Sequence, residues 1–173
     1  MFRVTKLTLK NVAAFFIIGL AGVLGHFVYE WSGGAFILGL FFPINESVWE
    51  HLKLLFFPSV LYFAAEYALT SPKPANYWQA VTRGIFAGMA TIVVGFYTLS
   101  GISGKPLGFI NILLYFVGVL VMLVCKNSVL RQNHTPSPVS HGITWGILAL
   151  TAILFIAWSV NPPTWGIFIP PQP

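Results

Sequence analysis

Asn11-Val12-Ala13-Ala14-Phe15-Phe16-Ile17-Ile18-Gly19-Leu20-Ala21-Gly22-Val23-Leu24-Gly25-His26-Phe27-Val28-Tyr29-Glu30-Trp31 is a continuous run in which the first formal charge is Glu30. A helix rises about 1.5 Å per residue, so such a run covers about 30 Å, the depth of a bilayer's hydrocarbon core. Four further runs have the same character, residues 46–69, 76–99, 107–125 and 139–160. Turn chemistry separates them: Ser71-Pro72-Lys73-Pro74, then Ser100-Gly101 to Lys105-Pro106, then residues 127–138. The reading that follows is an all-α integral membrane protein, a bundle of five transmembrane helices forming a single membrane domain over residues 1–173.

Composition supports that reading. Of 173 residues, 57% are hydrophobic and 8% charged, with a mean hydropathy of +0.81. A globular chain carries about a quarter charged residues. This chain lacks the polar surface to face water on all sides, which excludes a water-soluble fold and makes the lipid bilayer its first partner. Its net charge of +5 comes from basic residues scattered among apolar runs, a pattern of topology signals and not of nucleic-acid binding. Arg3, Lys6 and Lys10 precede the first span, Lys73 and Arg83 flank the second connection, and Lys126 and Arg131 lie in the fourth. The opposite side has Lys105 and, within a helix, Lys53. The expected orientation is therefore amino terminus cytoplasmic and carboxyl terminus extracytoplasmic. The first span, long and without a clear cleavage site, is expected to be a retained helix.

The single cysteine, Cys125, excludes an internal disulfide, a CxxC redox site and a thiolate-rich metal centre. Residues 32–45 are apolar but too short to cross, and are expected to form an interfacial or re-entrant loop. Residues 161–173 form a Pro-rich tail. Gly84/Gly88 and Gly142/Gly146 are GxxxG pairs, and Gly19, Gly22 and Gly25 make a smooth stripe suited to close helix contact. The tryptophans Trp31, Trp49, Trp78, Trp145 and Trp158 fall near span ends, where indole rings anchor at the interface.

The few acids fall at informative positions. Glu30 ends the first span, Glu46 and Glu50 open the second, and Glu66 lies near the second span's other end, within reach of Arg83 or a loop lysine. His26 and Glu30 are i, i+4, and Glu46, Glu50 and Lys53 follow i, i+4, i+7, beside the pair Ser47 and His51. Consecutive helices meet at a shared face, so these groups converge near the outer leaflet. Neighbouring carboxylates repel unless a cation, a proton, Lys53 or an imidazole lies between them. A histidine and carboxylate set with open positions suits zinc or another first-row metal. We therefore take His26, Glu30, Glu50 and His51 as candidate metal ligands, and Glu46, Ser47, Lys53, Tyr29 and Trp49 as candidate ligand contacts. Glu50 is also the candidate general base. A bland alternative stands beside this: Ser47-Val48-Trp49-Glu50 is a capping box, and Asn45 is an equally good cap. His134 and His141 lie across the membrane from this cluster.

Gly25-His26-Phe27-Val28-Tyr29-Glu30-Trp31, the block Phe42-Pro43-Ile44-Asn45-Glu46-Ser47-Val48-Trp49-Glu50-His51-Leu52-Lys53, and Asn161-Pro162-Pro163 together resemble a family of small multipass bacterial membrane proteins of unknown function. The Asn-Glu-Ser-x-Trp-Glu-His core carries the specificity. The resemblance implies a bacterial plasma membrane location and no established activity. Four functional readings stay open at this level: a site for a divalent metal or a small cationic or protonatable ligand, a metal-dependent hydrolase or transferase on a lipid-like substrate, a proton-coupled carrier, and a structural or assembly subunit. The sequence leaves the oligomeric state open.

Overall fold

The computed structural model describes residues 9–105, 108–132 and 134–171. Arg3 and Lys6, the expected first residue of the fourth span, Leu107, and the last two residues of the tail lie outside these. The described residues form helices and no strand: α1 (Leu9–Trp31), α2 (Phe36–Gly39), α3 (Val48–Leu69), α4 (Tyr77–Ser103), α5 (Gly108–Leu130), α6 (Pro138–Val160) and a 3-10 helix at Gly166–Phe168. All but α2 and the 3-10 turn are long and apolar enough to cross a membrane, the mark of a multipass membrane protein.

Helix ends follow local chemistry. Ser47, in an extended conformation (φ −68°, ψ 150°), caps α3 by accepting from the Glu50 N–H at 3.3 Å, and Ser137 caps α6 in the same way. Gly104, at φ 70°, closes α4 in the left-handed conformation that glycine adopts without strain. Three ends differ from expectation. α4 runs on to Ser103, so Ser100 and Gly101, expected to open a turn, are helical. The apolar run of the fourth span stops at Cys125, but α5 continues to Leu130, which places Lys126 inside a helix instead of in a loop. α3 starts at Val48, so Glu46 precedes the cap and is not on a helical face with Glu50.

α3 is the central element. It packs on α1, α4 and α6 and meets the 3-10 turn of the tail, while α4 and α5 form the most extensive pair. The pairings His26 with His51, Leu55 with Gly88 and Gly88 with Gly118 make α1, α3, α4 and α5 successively antiparallel. The core runs through Ile18, Leu55, Phe56, Phe63, Ile85, Met122 and Phe155.

Apolar side chains gain little by leaving lipid for one another, so close backbone approach decides the contacts. At Gly88 an added Cβ would lie 2.7 Å from the Gly118 carbonyl oxygen, and at Gly84 the same distance from that of Met122. The expected Gly84/Gly88 seam is thus the α4–α5 interface. Gly142 and Gly146 have no neighbour within 4 Å, so the second GxxxG pair makes no contact among the described residues. Gly88→Val should therefore cost about 1–3 kcal/mol, because the obstacle is backbone that cannot swing aside. Gly146→Val should stay within about 0.5 kcal/mol of the parent. Unfolding of both variants in one detergent reads the difference.

Candidate functional site

At the end of the bundle that holds the C-terminus of α1 and the N-terminus of α3, the polar residues divide into two clusters with different characters.

The first is open. Asn45 Oδ1 accepts the Ser47 N–H at 2.9 Å, an Asx turn that throws Glu46 out of the helix and toward α1. There Glu46 meets both imidazoles: His26 Nε2 lies 3.7 Å from Oε1 and His51 Nε2 3.4 Å from Oε2. The two Nε2 atoms are 3.0 Å apart. His51 Nδ1 is 2.9 Å from the Ser47 carbonyl oxygen. A carbonyl only accepts, so Nδ1 of His51 carries a proton, and in the neutral ring Nε2 keeps its lone pair. A carbonyl holding the far nitrogen in this way is the usual outer support of a metal-ligating histidine. The imidazoles are part-buried and Glu46 is exposed. One ligand atom from each of His26, Glu46 and His51 lies within 4.8 Å of the others.

These separations can be tested against a metal. With bonds of about 2.0–2.2 Å, the ligand atoms of a tetrahedral zinc site stand about 3.3–3.5 Å apart. The two nitrogens stand 3.0 Å apart and each faces a different Glu46 oxygen, at 3.7 and 3.4 Å, so seating the ion requires a turn of the exposed carboxylate that brings one oxygen between the imidazoles. Two nitrogens and one carboxylate form the donor set that zinc enzymes use when a fourth position is kept for water or substrate.

The second cluster is closed. Lys53 and Glu50 are buried and 2.7 Å apart. Lys53 Nζ also donates to the Gly39 carbonyl at 2.9 Å, to the Phe42 carbonyl at 3.5 Å and to Ser159 Oγ. Its three protons are fully used. Glu50 Oε2 accepts the Ile44 N–H at 3.0 Å, and Oε1 lies 3.1 Å from Ser159 Oγ. This pair ties α3 to the 32–45 loop and to α6.

The candidate residues therefore separate. Glu30, grouped with His26 by helical spacing, is exposed, with no polar side-chain contact among the described residues; the carboxylate beside the imidazoles is Glu46. Glu50 is not among the grouped ligand atoms, and its oxygens are engaged by Lys53, the Ile44 N–H and Ser159. Lys53 is likewise committed, and Ser47 is the helix cap. Glu50 fills only half the capping box, because its side chain goes to Lys53 and not back to the Ser47 N–H. Trp49 points away from the imidazoles: its ring centroid lies 4.6 Å from Phe155, 4.9 Å from Trp158 and 4.9 Å from Phe168. Tyr29 packs along Gly39 of α2.

A cavity of about 590 Å³ adjoins the open cluster, between α1, α3, α4 and α5. His26, His51 and Glu46 form one wall, and Val23, Leu54, Ile92, Phe96 and Leu114 supply apolar lining. Phe27 of α1 and Ile112 of α5, both lining residues, are exposed apolar side chains. Lys105, Asn111 and Tyr115 line it too, and sequence reasoning missed all three. Tyr115 Oη reaches across to the carbonyl oxygens of Ile18 (3.0 Å) and Leu54 (3.2 Å), through the space that Gly22 leaves open. The glycine stripe of α1 was the available signal.

At the opposite end of α3, Glu66 pairs with Lys126 at 2.5 Å, not with Arg83 or a loop lysine. The Tyr77 hydroxyl lies 2.5 Å from the same carboxylate, and Lys126 sits 4.1 Å over the Phe63 ring. His134 contacts Gln79 at this end, remote from the metal candidates.

The chain belongs to a family described as Family of unknown function (DUF6512), whose model matches residues 1–170. Comparison with curated proteins and with solved structures gives no match.

Proposed function

We propose that this membrane protein binds a divalent first-row metal ion, zinc foremost, through His26, Glu46 and His51. In this reading the site lies on the extracytoplasmic side, which the Lys/Arg bias supports, and the protein resides in a bacterial plasma membrane, which the resemblance noted above supports. The observation that carries the reading is the convergence of three ligand atoms from α1, from the loop before α3 and from α3 itself. Helix capping requires none of them. A fourth coordination position would face the cavity and hold water.

Protein purified in neutral detergent, incubated with zinc and desalted, should retain about one zinc per chain by elemental analysis. The His26→Ala, His51→Ala double variant should retain none. Equal zinc in both would defeat the reading.

The cavity favours a second reading, a metal-dependent hydrolase or transferase acting on a lipid-like substrate. In that case the nucleophile is metal-bound water, because Glu50 is held by Lys53. The carrier reading has little support, since the buried faces of α3 between its two ion pairs are occupied by Leu54, Leu55, Phe56 and Phe63. A structural role fits Glu50 and Lys53 but does not account for the imidazole pair.

A further inference from the structure

We infer that the cavity beside the metal candidates holds an anionic single-chain amphiphile that arrives sideways from the bilayer, its charged head between Lys105 and the His26, Glu46 and His51 cluster. This rests on the metal reading and names the ligand class for that site. Three observations lead to it. The cavity's long walls are apolar, and its volume of about 590 Å³ falls within the range of pockets that enclose a drug-sized molecule. Its lining includes Phe27 and Ile112, exposed apolar side chains on two membrane-spanning helices, which suits entry of an acyl or isoprenyl chain from the bilayer. Its ionisable groups other than Tyr115, namely His26, Glu46, His51 and Lys105, lie at one end of the bundle. Lys105 follows the C-terminus of α4 and therefore lies at the same end as His26 and Glu46. It forms no ion pair among the described residues, and it lines the cavity.

Charge then selects the head group. Two neutral imidazoles, one carboxylate and a divalent ion sum to one positive charge, and Lys105 adds another. A phosphate or carboxylate head satisfies both, one oxygen taking the open metal position and another accepting from the ammonium. A neutral or cationic head leaves Lys105 unpaired next to a positive metal centre.

The test uses the full chain in a neutral detergent, with and without zinc, and measures binding of dodecyl phosphate, dodecanol and inorganic phosphate by titration calorimetry. Zinc content is determined on the same samples. The zinc-loaded protein should bind dodecyl phosphate at least about tenfold more tightly than either fragment alone, since each supplies only part of the recognition. Lys105→Gln should weaken dodecyl phosphate binding about tenfold. Ile112→Trp, which narrows the lipid-facing opening, should do the same by a steric route. Both positions are exposed, so folding is not the variable, and neither change should alter zinc content. Binding of dodecanol equal to that of dodecyl phosphate would overturn the inference in favour of a bare apolar groove. Equal binding of inorganic phosphate would overturn it in favour of a simple anion site. Zinc retained with no Lys105 dependence defeats this inference alone. Absence of zinc with dodecyl phosphate still bound defeats only the metal reading, and absence of both defeats the two together.

Discussion

Lys53→Met is expected to lower stability by about 3–5 kcal/mol, the usual cost of removing one partner from a buried ion pair. The ammonium is fully enclosed, and Glu50 beside it is almost so. Without Lys53, Glu50 either stays ionised in an apolar interior or takes up a proton. In both cases the Gly39 and Phe42 carbonyls lose their donor, and Ser159 loses one of its partners. The damage should spread beyond α3, because these contacts hold the 32–45 loop and α6 in place. Glu50→Gln should cost a comparable amount: an amide oxygen still accepts from the Ile44 N–H, but the enclosed Lys53 ammonium is left without a counter-charge. The double change Glu50→Leu, Lys53→Met should recover much of the loss, because replacing both charges by apolar groups avoids the desolvation cost of each. Thermal unfolding of the three variants in one detergent distinguishes this from a simple loss of packing, for which the double variant would be the worst of the set.

The same arithmetic explains why α3 carries a buried pair at each end. Glu50 and Glu66 are sixteen positions apart, about 24 Å along a helix, somewhat less than the hydrocarbon thickness. Each pair therefore falls near a membrane boundary, where a charge costs less than at the centre. The apolar middle of α3 packs through Leu55, Phe56 and Phe63, and the two ends fix its height and its rotation.

The spans were legible because a requirement for about twenty apolar residues leaves a strong mark in sequence. The site was less so. Helical spacing linked Glu30 to His26, and the two do share α1, yet Glu30 is exposed and makes no polar side-chain contact among the described residues. It also linked Glu46 to Glu50, on the assumption of an uninterrupted helix through both. The Asn45–Ser47 turn breaks that assumption and sends Glu46 to the imidazoles. Seen in sequence, Asn45 and Ser47 looked like competing caps; in the fold one shapes the turn and the other caps the helix. Lys126 was misjudged for a related reason. A lysine after an apolar run ordinarily marks a loop, yet here α5 runs on and Glu66 compensates the charge from sixty residues away. Ser159, Lys105, Asn111 and Tyr115 join their sites through tertiary contacts alone, and no local pattern announces them.

The largest effect on ligand chemistry is expected from His51→Ala. Changes to groups that merely support a metal ligand cost about 10–100-fold in affinity, and loss of a ligand should exceed that, so zinc binding should weaken by more than about 100-fold. His51 is the most constrained of the three: its Nδ1 proton is held by the Ser47 carbonyl, which fixes both the tautomer and the ring plane. His26→Ala should come close to it. Glu46→Gln should cost somewhat less, because Glu46 is exposed and an amide oxygen can still bind weakly. Glu30→Gln should leave the affinity unchanged, although helical spacing places Glu30 one turn from His26. Competition against a chromophoric chelator ranks the four variants. An affinity that falls with Glu30→Gln and holds with Glu46→Gln would mean that the ion sits on the outer face of α1, away from the cavity, and the ligand set assigned to this site would be wrong.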